Sequence, residues 1–183
     1  MGDQNSTLHN FVKKLFFMKK ILLSVAIALT TMGCANAQKT EFSKESLSTI
    51  LLSIEDSEVE FQSILDKHKG KVTVIEIWAS WCSDCVKAMP KLKELQENNP
   101  EIDYVFISMD KADDKWKAGV EKHALVGDHY WSMDGMKGDF AASLDIDWIP
   151  RYIILDKTGK IITYRAIETD FETINSTLKK LTE

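Results

Sequence analysis

Residues 71–80 form a nearly continuous apolar and β-branched run, with Glu76 as the one charged side chain after Lys71. Such a run predicts a central strand covered on both faces. From Cys82 to Asn98 the period becomes helical. Val86, Met89, Leu92 and Leu95 share a face, with Lys87, Lys91, Lys93 and Glu94 between them. Ile102 to Met109 predicts a second apolar strand, and Asp113 or Asp114 a helix cap before a segment ending near His123. Residues 125–137 read as irregular and Gly138 to Leu144 as a short helix. Residues 151–156 and 160–165 flank the turn Asp156-Lys157-Thr158-Gly159, a hairpin pattern. Phe171 to Leu181 reads as a terminal helix with Asp170 as its cap. Upstream, Val59 to Phe61 reads as a short strand and Ser63 to Lys69 as a short helix ending at Gly70. Residues 38–56 read as a polar, mildly helical segment ahead of a domain spanning 57–183. The order β-α-β-α, then β-β-α, predicts an α/β fold. Its central sheet is mixed, parallel in the first half and antiparallel in the second, with helices on both faces.

The N-terminal region has a different pattern. Lys13, Lys14, Lys19 and Lys20 precede an apolar stretch from Ile21 to Leu29, and Ala35-Asn36-Ala37 follows. A basic region, a short apolar core and an A-x-A site make a secretory signal peptide, so residues 1–37 read as leader and the protein as exported to the periplasm. The core is shorter than the roughly 20 apolar residues of a membrane span. Met18-Lys19-Lys20 is itself a good signal-peptide start, which makes residues 1–17 an upstream extension. Met32-Gly33-Cys34 resembles the end of a bacterial lipoprotein signal, in which Cys34 would be lipidated. Thr31 stands where such signals usually have Leu, so cleavage after Ala37 is the favoured reading. Membrane contact is expected only in the alternative in which Cys34 carries a lipid anchor.

Charge and composition narrow the function. The chain of 183 residues carries a net charge of −5, and removal of residues 1–37 leaves 19 basic against 27 acidic side chains, or −8. Nucleic-acid binding needs clustered cations, so nucleic acid is not an expected partner. A hydrophobic fraction of 44% with 28% charged is ordinary for a globular chain.

Of the three cysteines, Cys34 falls in the leader, which leaves Cys82 and Cys85. They sit where the buried strand runs into the helix. Cys82 falls at the helix N-terminus and Cys85 one turn on, so their sulfurs share a face. Free backbone amides and the helix dipole lower the pKa of a thiolate at Cys82. Such a thiolate attacks a disulfide, and Cys85 resolves the mixed disulfide. A zinc site would need four ligands, and no second cysteine pair exists. His68, His123 and His129 lack ligand spacing, so no metal or other cofactor is expected. An inert structural disulfide is the other alternative, and this three-residue step at a helix start is seldom used that way.

These residues resemble the thioredoxin superfamily, and more closely the exported TlpA/ResA-type thiol-disulfide oxidoreductases. The resemblance covers about residues 57–183. It rests on Ile77-Trp78-Ala79-Ser80-Trp81-Cys82-x-x-Cys85, on Pro90 five residues after the second cysteine, and on Ile149-Pro150 before a strand that leads into Asp156-Lys157-Thr158-Gly159-Lys160. The resemblance implies a cis Pro150 packed against the cysteine pair, with the Ile149 backbone free to pair with a substrate strand. Glu76 matches the family's buried acid, usually Asp. Burial raises a carboxyl pKa, and Glu76 could then accept the Cys85 proton. Ser83-Asp84 departs from the family pattern, which usually has Pro before the second cysteine. The Asp84 charge opposes a Cys82 thiolate and is expected to make the couple more reducing. Trp78 and Trp81 are expected to pack around the disulfide, with Trp81 shaping the substrate groove. Trp116, Trp131 and Trp148 read as core or surface packing. Arg151, where the family commonly has Thr, reads as solvated.

The resemblance implies dithiol-disulfide exchange with protein substrates, mainly in the reducing direction, for instance in cytochrome c maturation, and a membrane thiol-disulfide carrier as electron partner. Three other readings compete. A peroxiredoxin-type thiol peroxidase has Thr three residues before its cysteine, and here that position is Ala79. A copper-binding module on this fold usually has CxxxC and a distant His. A structural lipoprotein would carry the pair incidentally.

Overall fold

The structure is a computed structural model and describes residues 38–183. The leader features, including the Met18 start, Cys34 and the Ala37 cleavage site, lie outside the described residues. The long apolar run forms β3 (Thr73–Trp78), in which every residue is buried. It lies between β4 (Asp103–Ser108), to which it is parallel, and β6 (Arg151–Leu155), to which it is antiparallel. With hydrogen bonds on both edges and side chains covered on both faces, β3 is the strand with least access to water. That is why its sequence does not alternate.

Beyond β4 lies β5 (Asp128–Trp131), parallel to it. Then come β1 (Ile50–Ser53) and β2 (Glu58–Glu60), both antiparallel. Beyond β6 lies β7 (Ile161–Ala166). The seven-stranded order is β2-β1-β5-β4-β3-β6-β7. The helices are α1 (Lys44–Leu47), α2 (Phe61–Lys67), α3 (Ser83–Asn98), α4 (Asp113–His123), α5 (Asp139–Ser143) and α6 (Phe171–Thr182), with a 3-10 turn at Gly135–Lys137. The mixed α/β sheet is as expected, but it begins earlier. Ile50, Leu51 and Leu52 in the segment read as polar and mildly helical pair with β2. The segment read as irregular supplies β5. Leu47, Ile50, Leu51 and Ile54 happen to fall at helical spacing, and β5 is a four-residue strand with no alternation to reveal it.

Helices cover both faces. On one, Tyr152 of β6 packs on Phe171 of α6, and Trp131 of β5 stacks on Trp116 of α4 at 6.2 Å. On the other, Phe61 of α2 sits edge-on between Phe42 and Phe140 of α5, with ring centroids 5.1 and 5.2 Å away. His68 closes the sheet's lower end. Its Nδ1 lies 2.8 Å from Asp103 and its Nε2 3.1 Å from Asp128, which joins the end of α2 to the starts of β4 and β5. Between β6 and β7, Asp156 Oδ1 accepts the amides of Thr158 and Lys160, and Gly159 takes the positive φ of 87° that closes the turn.

Phe61 has no exposed surface and carries the contact between α2 and α5. Phe61→Ala is expected to destabilise the domain by roughly 3–5 kcal/mol, read as a lower midpoint in urea with an unchanged slope. A loss below about 1 kcal/mol would mean that the neighbouring rings collapse into the space.

Candidate active site

The chain leaves β3 at Trp78 and turns once before entering α3. The turn is closed by the Cys82 amide, which donates to the Ala79 carbonyl at 3.1 Å. Cys82 is the N-cap of α3, with extended backbone (φ −77°, ψ 109°), and its Sγ accepts the Cys85 amide at 3.1 Å. A sulfur therefore stands where a Ser or Asp side chain usually caps a helix. An amide pointing at it favours the thiolate, as does the positive end of a helix that runs for 16 residues. Cys82 and Cys85 are joined as a disulfide with Cα atoms 5.3 Å apart. Cys85 is fully buried and Cys82 is 6% exposed, so an incoming sulfur meets Cys82 first. Pro90 lies inside α3, where it removes the amide that would otherwise reach the Val86 carbonyl.

The Ile149–Pro150 bond is cis. It brings the Ile149 carbonyl oxygen to 3.5 Å from Cys82 Sγ, within reach of a thiol proton in the reduced protein. A groove beside the sulfur is lined by Trp81, Ser83, Asp84, Met136, Asp147, Trp148 and Ile149. Trp81 is 55% exposed and Trp148 54%. Trp148, expected in core or surface packing, is not in the core and lines the same groove as Trp81. The signal for it was its place directly before Ile149-Pro150. Trp78 instead enters the core, edge-on to His123 of α4. Asp84 pairs with Lys87 one turn on at 3.2 Å, which offsets part of its charge.

Arg151 corrects an expectation. It is 2% exposed, not solvated, because β6 is an interior strand and position 151 pairs with buried Ile77. Its Nη2 donates to Asp147, which also takes Arg165. A buried guanidinium needs a counter-charge, and here that pair ties β6 to the groove wall.

Glu76 is buried in mid-strand opposite Tyr152, whose hydroxyl donates to Oε1 at 3.2 Å. Its Oε2 has no hydrogen-bond partner. Burial pushes the Glu76 carboxyl up to about 8, and the Tyr152 hydrogen bond pulls only weakly the other way. The same burial, with the Glu76 charge, holds the Tyr152 phenol well above its ordinary value. At neutral pH Glu76 is therefore mostly protonated, and the carboxylate fraction grows as pH approaches 8. Among the described residues, no group of three acidic, histidine or cysteine side chains is placed to hold a metal.

A dithiol at a helix N-terminus beside a cis-proline loop is the arrangement of a thiol-disulfide oxidoreductase on a thioredoxin-like fold, and Glu76 lies buried in the adjoining strand. The comparisons agree. The thioredoxin-like family profile matches residues 70–161. The chain is 25% identical over 166 residues to the thiol-disulfide oxidoreductase ResA of Bacillus cereus, covering 88% of this chain and 92% of that one. A solution structure of a candidate thiol-disulfide oxidoreductase from Bacteroides vulgatus superposes with a TM-score of 0.61 at 30% identity, over 82% of this chain and 93% of the other. A soluble secreted antigen of Mycobacterium bovis is 23% identical over 139 residues, or 75% of this chain and 76% of the antigen. The chain belongs to the thioredoxin-like family, and its activity is that of a thiol-disulfide oxidoreductase.

Glu76 also makes stability depend on pH. Its carboxyl is raised from 4.5 to about 8 in the fold, so its stabilising contribution is complete below about pH 4.5 and is lost as pH rises toward 8. Across that window the unfolding free energy of the parent protein, measured against Glu76→Gln, is expected to fall by a few kcal/mol, on the order of 1.4 kcal/mol per pH unit. A difference that stays constant with pH would mean that Glu76 is not held protonated.

Proposed function

We propose that this protein is exported and reduces disulfides in other proteins, with Cys82 as nucleophile and Cys85 as resolving thiol. The observation that carries this reading is the capped sulfur of Cys82, held 3.1 Å from the Cys85 amide beside an open groove while Cys85 is sealed. In the reduced protein the Cys82 thiolate attacks a substrate disulfide. One substrate sulfur leaves as thiolate and takes up a proton, and a mixed disulfide remains. Cys85 then gives up its proton, attacks Cys82 Sγ and releases the second substrate sulfur. Two electrons and two protons pass to the substrate, and the enzyme is left with the Cys82–Cys85 bond.

Glu76 is proposed as the proton acceptor for Cys85. A carboxyl near pKa 8 is matched to a thiol better than an ordinary carboxylate. Trp81, Ile149 and Pro150 form the proposed substrate contacts, with extended substrate backbone pairing with the Ile149 N–H. Ser83 and Asp84 tune the couple. The Asp84 charge disfavours the thiolate and so favours a reductant, to an extent limited by Lys87. Re-reduction needs a dithiol donor, proposed as a membrane thiol-disulfide carrier. Export is supported by the leader pattern of residues 13–37 and by a relative described as secreted. The domain proposal keeps residues 1–37 as leader, with Met18 as an alternative start and Cys34 as the site of any lipid anchor.

Cys85→Ser is expected to accumulate mixed disulfides through Cys82 when mixed with a disulfide-bonded protein, detected as slow bands lost on reduction, whereas Cys82→Ser forms none. Trapping by Cys82→Ser instead would reverse the two roles. Asp84→Pro is expected to move the pH profile of Cys82 alkylation downward, by less than about one unit because Lys87 already offsets the charge. An unmoved profile would remove Asp84 from the tuning.

A further inference from the structure

Asp110 lies just beyond β4, is fully buried, and takes no part in the chemistry above. Its carboxylate grips one residue by both of its polar groups. Oδ2 accepts the Ser80 amide at 2.9 Å and Oδ1 accepts the Ser80 hydroxyl at 2.7 Å. Asp110 is itself fixed. Ser108 donates its hydroxyl to Oδ2 at 2.8 Å and accepts the Asp110 amide at 3.0 Å, and Trp131 Nε1 donates to the Asp110 carbonyl at 2.8 Å. Burying a carboxylate is costly unless donors surround it, and three do here.

Ser80 is held from the other side by α4. A Cβ placed on Gly119 would lie 2.8 Å from the Ser80 Cβ and 3.2 Å from the Trp78 ring. Gly119 is therefore required for space. Ser80 sits inside the turn that the Cys82 amide closes on Ala79. The direction in which Cys82 projects its sulfur toward the Cys85 amide depends on that turn.

We propose that Asp110 and Gly119 clamp Ser80 and thereby hold Cys82 in its helix-capping geometry, so that Asp110 is a positioning residue of the redox centre. The proposal deepens the reading above and rests on Cys82 as nucleophile. A loosened turn lets Sγ swing away from the Cys85 amide and weakens thiolate stabilisation. Loss of the Asp110 negative charge alone would act in the opposite sense and favour the thiolate. Geometry and charge can therefore be separated by sign.

The experiment follows the pH profile of iodoacetamide alkylation in the reduced full-length protein, with the modified cysteine located by mass spectrometry and stability followed by urea unfolding. Asp110→Ala and Gly119→Ala are expected to move the Cys82 profile to higher pH and slow its alkylation at neutral pH by about threefold. Asp110→Asn keeps the clamp, since its amide oxygen can accept from the Ser80 amide and Ser108 while its NH2 donates to the Ser80 hydroxyl, and removes only the charge, so its profile is expected at or slightly below the parent's pH. Lowered stability with an unmoved Cys82 profile in Asp110→Ala and Gly119→Ala would overturn the clamp, as would an Asp110→Asn profile moved to higher pH as far as that of Asp110→Ala. If Asp110→Ala does not fold, Gly119→Ala keeps every polar group and decides alone. First alkylation at Cys85 in the parent protein would instead contradict the nucleophile assignment, and both proposals would fall together.

Discussion

A sulfur at a helix N-terminus meets amides that no helical carbonyl can reach, and at Cys82 one of these, from Cys85, lies 3.1 Å away. The contact needs a strand that ends abruptly and a helix that begins within one turn. β3 supplies the first because it is buried on both faces and bonded on both edges, so its end is fixed relative to β4 and β6. α3 supplies the second, and its apolar residues Met89, Leu92 and Leu95 seat it against the core. The cis-proline loop enters from β6, the strand beside β3, which is how Ile149 comes to face the same sulfur. Chemistry at Cys82 is thus a consequence of the sheet order more than of the cysteines alone.

Among the described residues, three acidic or basic side chains other than histidine are buried: Glu76, Asp110 and Arg151. Each stands in or next to the strands that converge on the disulfide, and they differ in how well they are satisfied. Asp110 receives three donors, and Arg151 has the Asp147 carboxylate. Glu76 has one phenol and a bare oxygen. Hydrogen bonds to an ionised group stabilise it and burial does the reverse, so Glu76, with a single phenol donor, keeps most of its proton at neutral pH. The carboxylate fraction, which grows as pH approaches 8, is the form able to take a proton from a buried thiol.

Much of this was legible in the sequence because the determining features are local. An unbroken β-branched run, a change of period at Cys82 and a proline before a strand each have a direct physical meaning. Glu76 was legible for the same reason, as a charge where no charge belongs. Asp110 was not, because an aspartate at the end of a strand looks like any loop residue until Ser80 is brought beside it from 30 positions earlier. The burial of Arg151 is not legible locally because it depends on β3 and β7 flanking β6, one strand far upstream and the other downstream. β1 and β5 are short and sit toward one side of the sheet, where the pattern of the strand carries little information and its partners decide.

The most direct test of the account is the reduction potential of the Cys82–Cys85 couple, measured in defined thiol buffers by the fluorescence of Trp81 beside the disulfide. A reductant predicts a value near or below about −220 mV. A value nearer about −120 mV would mean that the reduced form is the stabilised one and that the protein donates disulfides, which would contradict the proposed direction of electron flow.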